Sequence, residues 1–230
     1  MKARRTLTSC ALLAAVTFAA SPSRTALAFE PSASYDSNPT ADYQIAITAE
    51  VVAIPLVTYR ELTKDGTPAG DASEFRAKLG ELIDAGKAVL ETVATVRTRS
   101  GQRAKTESGK EKIYATEYDE NGIPGGLETR PLGTILEVDP VIGADEFTVE
   151  LNVALEIVEF AEMEKSTYTH QKSGKEFDVE LPLFYSRKVT TAITTTRGGW
   201  NYAGVLGVKG DRDDKSGKIG LLFIGVDGVK

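Results

Sequence analysis

The chain has 230 residues, 41% of them apolar, and carries 27 Lys and Arg against 33 Asp and Glu for a net charge of −6. One cysteine, one histidine and one tryptophan leave little material for thiol, imidazole or zinc chemistry. An acidic balance without clustered Lys and Arg excludes nucleic acid as a natural partner, because phosphate binding is dominated by basic groups.

Residues 1–28 read as an export signal and not as structure. Lys2, Arg4 and Arg5 make a basic start, Ala11 to Ala20 is an apolar run, and Ala26-Leu27-Ala28 places small residues at −3 and −1, so cleavage is expected after Ala28. The run of about ten apolar residues is too short for a bilayer core of roughly 30 Å, and no later segment reaches 18, so no transmembrane helix is expected. Leu7-Thr8-Ser9-Cys10 has the residue types of a lipoprotein box, but it precedes the apolar run instead of following it and reads as coincidence. Cleavage removes four bases, no acid and the lone Cys10, leaving 23 bases against 33 acids, near −10. The mature chain enters a compartment that permits disulfides with no thiol to form one, so packing and hydrogen bonds must hold it. Residues 29–41, rich in Pro, Ser and Asn, form a flexible leader, and 42–230 a single β-domain.

Tyr43 to Ile54 predicts the first strand, with Tyr43, Ile45, Ile47, Ala49 and Val51 on one alternation, and Pro55 weakening its last pairings. Asp71 to Ala85 predicts the one helix. Asp71 serves as cap with Glu74 three residues on; Phe75, Leu79, Leu82 and Ile83 make the stripe that packs on a sheet; Gly86 stops it with Lys87 beside the negative end. Strands follow at Val89–Thr98, Gln102–Glu107, Lys110–Tyr118, Thr129–Val138 and Glu146–Phe160. The last alternates Phe147, Val149, Leu151, Val153, Leu155 and Ile157 with polar or small residues, and its length suggests a long hairpin or a barrel wall. Further strands are expected at Leu183–Thr196, Trp200–Val208 and Lys218–Val226, the last two joined by the polar turn 210–217.

Each chemical site that could be built fails on its spacing or lacks partners. His170 sits in the polar stretch Ser166 to Lys175, an expected exposed loop, with no nearby His or Cys to share a metal or a catalytic role. Asp211-Arg212-Asp213-Asp214 suggests calcium, yet the fifth, sixth and twelfth positions of an EF-type loop would be Lys215, Ser216 and Leu222. Gly109-Lys110, Gly174-Lys175 and Gly217-Lys218 lack the remaining residues of a phosphate loop. Glu150 and Glu156 share a strand face and could form a glycosidase pair, but a solvated sheet face accounts for them.

From Val89 onward the order of motifs resembles the secretin domain, the C-terminal channel module of the outer-membrane secretins of type II and III secretion systems and type IV pili. Thr95 to Ala104 is similar to that family's strand, Gly-Gln turn and strand. Gly133-Thr134-Ile135-Leu136-Glu137-Val138-Asp139-Pro140-Val141-Ile142 matches its G-x-x-L-x-V-x-P-x-I core. Pro182, Arg187 and Thr191 fit P-x-x-x-x-R-x-x-x-T, and Lys218 to Val226 is similar to the closing apolar strand. The chain departs at Arg197 to Leu206, which keeps one of the family's paired glycines. The family's ring domains have no expected counterpart in 43–86.

The resemblance implies a mainly β (α+β) fold, with long antiparallel strands in a secretin-like sheet or partial barrel and one amphipathic helix near 71–86. It implies an exported, non-enzymatic structural or assembly component of a bacterial envelope complex, in the periplasm or outer membrane. No catalytic, cofactor-binding or metal-binding residue is assigned. The expected partners are copies of the same chain forming a homo-oligomer, or other envelope proteins, with outer-membrane association; Arg103, Lys105 and Lys188 are expected to blunt strand edges. Two rivals remain open: a soluble orphan β-domain that binds a partner and forms no pore, and a secreted hydrolase using paired acids in a deep cleft.

Overall fold

Alternating apolar residues make the first strand, β1 (Gln44–Pro55), and from Val51 to Ile54 every residue is buried, so β1 is covered on both faces. The computed structural model describes residues 43–207 and 217–229. The expected signal, its Cys10, the leader and Asp211-Arg212-Asp213-Asp214 lie outside the described residues. Pro55 ends β1 but still stands opposite Lys218. A short helix, α1 (Leu56–Leu62), follows directly and was not expected, since seven residues without a side-chain cap leave no periodic signal. Tyr59 of α1 brings its hydroxyl 3.2 Å from that of Tyr202.

The anticipated helix is α2 (Ser73–Asp84). Asp71 lies outside it, beyond the N-cap residue Ala72, and its Oδ1 accepts from the Ser73 N–H (3.0 Å) and hydroxyl (2.6 Å) and from the Trp200 N–H (3.3 Å). The carboxylate thus ties the start of the helix to a strand instead of capping it from within. Gly86 takes the left-handed conformation (φ 69°) and donates to Ile83 O, while the N–H groups of Lys87 and Ala88 return to Leu82 O, closing the helix as its glycine foretold. Phe75 and Leu79 are buried, with Leu82 and Ile83 packed beside them, against Val52, Ile54, Leu221 and Phe223.

Beyond α2 come β2 (Val89–Arg99), β3 (Ala104–Tyr118), β4 (Pro124–Ile142), β5 (Thr148–Thr169), β6 (Glu176–Thr196), β7 (Trp200–Leu206) and β8 (Lys218–Val229). They form two antiparallel four-stranded sheets, ordered β2-β1-β8-β7 and β3-β4-β5-β6. The first sheet lays Ile45, Ile47, Ala49, Val51, Leu222, Ile224 and Val226 on Leu136, Val138, Val149, Leu151, Val153, Leu155 and Ile157 of the second. The apolar side of residues 149–157 therefore meets protein. Its packing supplies the dominant stabilisation, each fully buried aliphatic side chain contributing roughly 1.5–3 kcal/mol. The two sheets do not close into a barrel, so of the expected sheet or partial barrel it is the sheet that forms.

Several boundaries move. The strands expected at Gln102–Glu107 and Lys110–Tyr118 merge into β3, which starts at Ala104, because Gly109 carries the chain through opposite Gly133 and not through a turn. β5 begins at Thr148 rather than Glu146. Glu146 adopts φ 58°, an uncommon conformation for a residue with a side chain, and Phe147 is 62% exposed and leaves the buried alternation. Ser166 to Thr169, expected in a loop, are paired strand residues, and the turn shrinks to 170–175.

Candidate functional site

The second sheet is not uniform along its length. β4 pairs with β5 only from Gly133↔Val158 to Ile142↔Val149. Past that point β3 and β4 continue as one two-stranded ribbon to Tyr118↔Pro124, and β5 and β6 as another to Thr169↔Glu176. The separation begins at a pair of glycines in register. A Cβ on Gly109 would collide with the carbonyl of Leu132, and one on Gly133 (φ 121°) with that of Ser108. Only two glycines let the backbones approach so closely. A cleft of about 390 Å³ opens there, lined by residues that include Glu107, Glu111, Pro131, Ile135 and Val158.

The ribbons then face each other. Tyr114 packs on Phe184 (ring centroids 5.7 Å), Lys112 Nζ lies 4.7 Å from the Phe160 ring centre, and Tyr118 meets Tyr168 at 5.3 Å. At the tips Lys175 Nζ donates to the Glu120 carbonyl at 3.0 Å. The turn of the first ribbon is organised by Asp119, whose Oδ1 accepts from the N–H groups of Asn121 and Ile123. Those bonds, Ile123's foremost, hold its carboxyl below the ordinary carboxylate range, and the charge of His170 on the other tip adds a smaller pull.

The outer strands of this sheet, β3 and β6, have no strand partner on their far sides among the described residues. Lys105 on β3 and Lys188 on β6 sit on these edges as expected, but each is matched within its own sheet, Lys105 by Glu107 and Lys188 by Glu156 at 2.9 Å. Arg103 lies before β3 and reaches Glu137 (3.3 Å) and Asp139 (3.4 Å) with a largely exposed side chain. Pairs so exposed stabilise little. In the other sheet Ala72 donates its N–H to Trp200 O at 2.6 Å, which covers one end of the β7 edge, whereas β2 shows Val89, Leu90 and Val93 to solvent.

His170 is half-buried in the β5–β6 turn, its Nδ1 2.8 Å from Ser173 Oγ, a partnership that shapes the turn. Gly109-Lys110 lies inside β3, Gly174-Lys175 in the turn and Gly217-Lys218 at the start of β8, so the structure brings none of these pairs together. Glu150 and Glu156 stand on the solvent side of β5, and Glu156 is taken by Lys188. Asp71, Asp119 and Asp145 are all held below the ordinary range by hydrogen bonds donated to them, the work of turn and cap acceptors and the opposite of what a proton donor needs.

Two ion-pair centres were missed. Arg187, inside the P-x-x-x-x-R motif, is largely buried and spans both sheets: Nη1 reaches Glu91 of β2 (2.8 Å) and the Gly207 carbonyl (3.1 Å), and Nη2 reaches Glu159 of β5 (3.1 Å). It fixes the place where the β5–β6 ribbon leaves the sandwich. Arg76 of α2 meets Glu50 of β1 at 2.5 Å, with its guanidinium over Trp200. The signal for the second was an acid on the most apolar strand of the chain.

Neither protein-family models nor curated proteins match this sequence. Among solved structures, the type II secretin GspD of enteropathogenic Escherichia coli aligns over 82% of this chain and 69% of its own, with TM-score 0.41 and 14% identity. The type IV competence pilus secretin PilQ of V. cholerae aligns over 81% and 61% (TM-score 0.45, 15% identity), and the InvG secretin domain of the Salmonella SPI-1 injectisome over 82% and 61% (0.41, 11%). The chain thus spans about six- to seven-tenths of these structures. Likenesses of this order leave its role to be argued from its own residues.

Proposed function

We propose that this chain is an exported, non-enzymatic structural component of an envelope complex, in which copies join side by side through the second sheet. The observation that carries the reading is the pair of open edges, β3 on one side of a four-stranded antiparallel sheet and β6 on the other. With an even number of strands, β6 of one copy meets β3 of the next in antiparallel sense, and each addition leaves the same two edges free. Such a head-to-tail contact closes into a ring when its rotation allows, which pairs the β3 and β6 edges of every copy. β5 has 22 residues and β6 has 21, roughly 70 Å at 3.3 Å per residue, well beyond what a compact sandwich uses. The role is also what the sequence resemblance to the secretin domain implies, as is placement in the periplasm or outer membrane.

The alternative, a soluble orphan domain that forms no pore, draws support from the ribbons packing their aromatic residues on each other within one chain. The native mass of residues 29–230 decides between them, taken from outer membrane in mild detergent and from soluble periplasmic extract. A heat-resistant ring of many subunits, found with membrane alone, is expected. A soluble species of one to three chains would overturn the assembly reading in favour of the orphan domain.

A further inference from the structure

We propose that the β3–β4 ribbon is a strap, pivoting at Gly109 and Gly133 and clasped at its tip to the β5–β6 ribbon. Clasped, it withholds two inner strand edges. Beyond the Gly133↔Val158 pair, residues 124–132 of β4 run in register with β3 and residues 161–169 of β5 with β6. Among the described residues each of these stretches has a second edge with no strand partner, created where the sheet divides.

The pivot follows from local chemistry. Between Gly109 and Gly133 no side chain crosses the ribbon, and the cleft behind them leaves the strap unsupported on that side. The clasp is small and wet. It consists of the Tyr118–Tyr168 contact, the Lys175–Glu120 bond and Phe177, whose ring lies where a side chain on Gly122 would begin, 3.3 Å from its Cβ position. Below the tips the strap also gives up the Tyr114–Phe184 and Lys112–Phe160 contacts on opening. Each of these contacts is small on its own, so removing the Tyr168 ring and the Lys175 bond at the tip shifts the population toward the open form. The strap stands independently of any assembly; its use, to keep inner edges unavailable until a neighbouring copy displaces it, rests on the side-by-side reading.

The test places spin labels at the two exposed turns, through Asn121→Cys and Lys172→Cys, in the mature chain, which has no cysteine of its own. Distances are read on the soluble single chain. One short separation is expected for this parent, and a second, longer population that outnumbers the first once Tyr168→Ala and Lys175→Ala are added. A single unchanged separation in the loosened protein would overturn the strap, as would a parent already spread over long distances. An environment-sensitive hydrophobic dye gives a second readout: the loosened protein is expected to bind more of it while its circular dichroism stays that of the parent. Unchanged dye binding also counts against opening. Because no ring is needed for either measurement, failure of the chain to assemble leaves the strap intact, and a ring formed by chains with unmoved distances removes the strap while sparing the assembly.

Discussion

Asp71 illustrates how a single carboxylate joins distant parts of this chain. It gathers the Ser73 N–H, the Ser73 hydroxyl and the Trp200 N–H, and these bonds, the Ser73 hydroxyl first, hold its pKa below the ordinary value of 3.8. A carboxyl with a depressed folded pKa stabilises fully above its unfolded pKa, and that stabilisation is lost as pH falls through the folded value. Asp71→Asn is therefore expected to lower Tm at pH 7, with the gap to the parent narrowing below about pH 4. A gap that stays constant down to pH 2.5 in thermal melts would show that the charge plays no part. The sequence marked Asp71 as a cap. Its bond to Trp200, 129 positions away, had no local signal.

Among the elements, α2 shows how a polar pair is kept under a helix. Arg76 and Glu50 retain 17% and 12% of their side-chain exposure, so removing one partner strands a charge that is nearly dry. Arg76→Ala is expected to cost about 2–3 kcal/mol, somewhat less than for a fully enclosed pair because some water remains. Replacing both, Arg76→Met with Glu50→Leu, is expected to restore stability to within about 1 kcal/mol of the parent, since desolvation offsets most of what the pair contributes. Urea unfolding of the single and double variants measures the difference, and a double variant as weak as Arg76→Ala would refute it. The apolar stripe of α2 was legible because its period is local. α1 was not, because seven residues without a cap or a buried side chain carry no such period.

For the whole molecule, stability is divided unevenly. Strands β1 and β8 and the lower halves of β4 and β5 lie in the shared core, whereas the ribbons beyond Gly133 and Val158 hold mostly exposed or half-buried residues. Amides in β1, β8 and 149–157 are expected to exchange only through global unfolding, and those of 110–132 and 159–186 through cheaper local opening. Hydrogen exchange followed by mass spectrometry reads this directly. Equal protection of ribbons and core would mean that the two form one cooperative unit.

The sequence by itself determined the β class, the single long amphipathic helix and its glycine stop, and the apolar alternation of 149–157, all of which depend on spacing among neighbours in the chain; that this apolar side meets the other sheet was decided by the tertiary structure. The Leu136, Val138, Pro140 and Ile142 motif was likewise visible, and all four side chains are buried. Tertiary structure alone decided which strands became edges, where the second sheet divides, and that Gly109 and Gly133 stand opposite each other. Arg187 and Glu91 are 96 positions apart, and Arg76 and Glu50 come from different elements. Register and sheet order follow from which faces bury together, a property of the assembled core that no short window of residues contains.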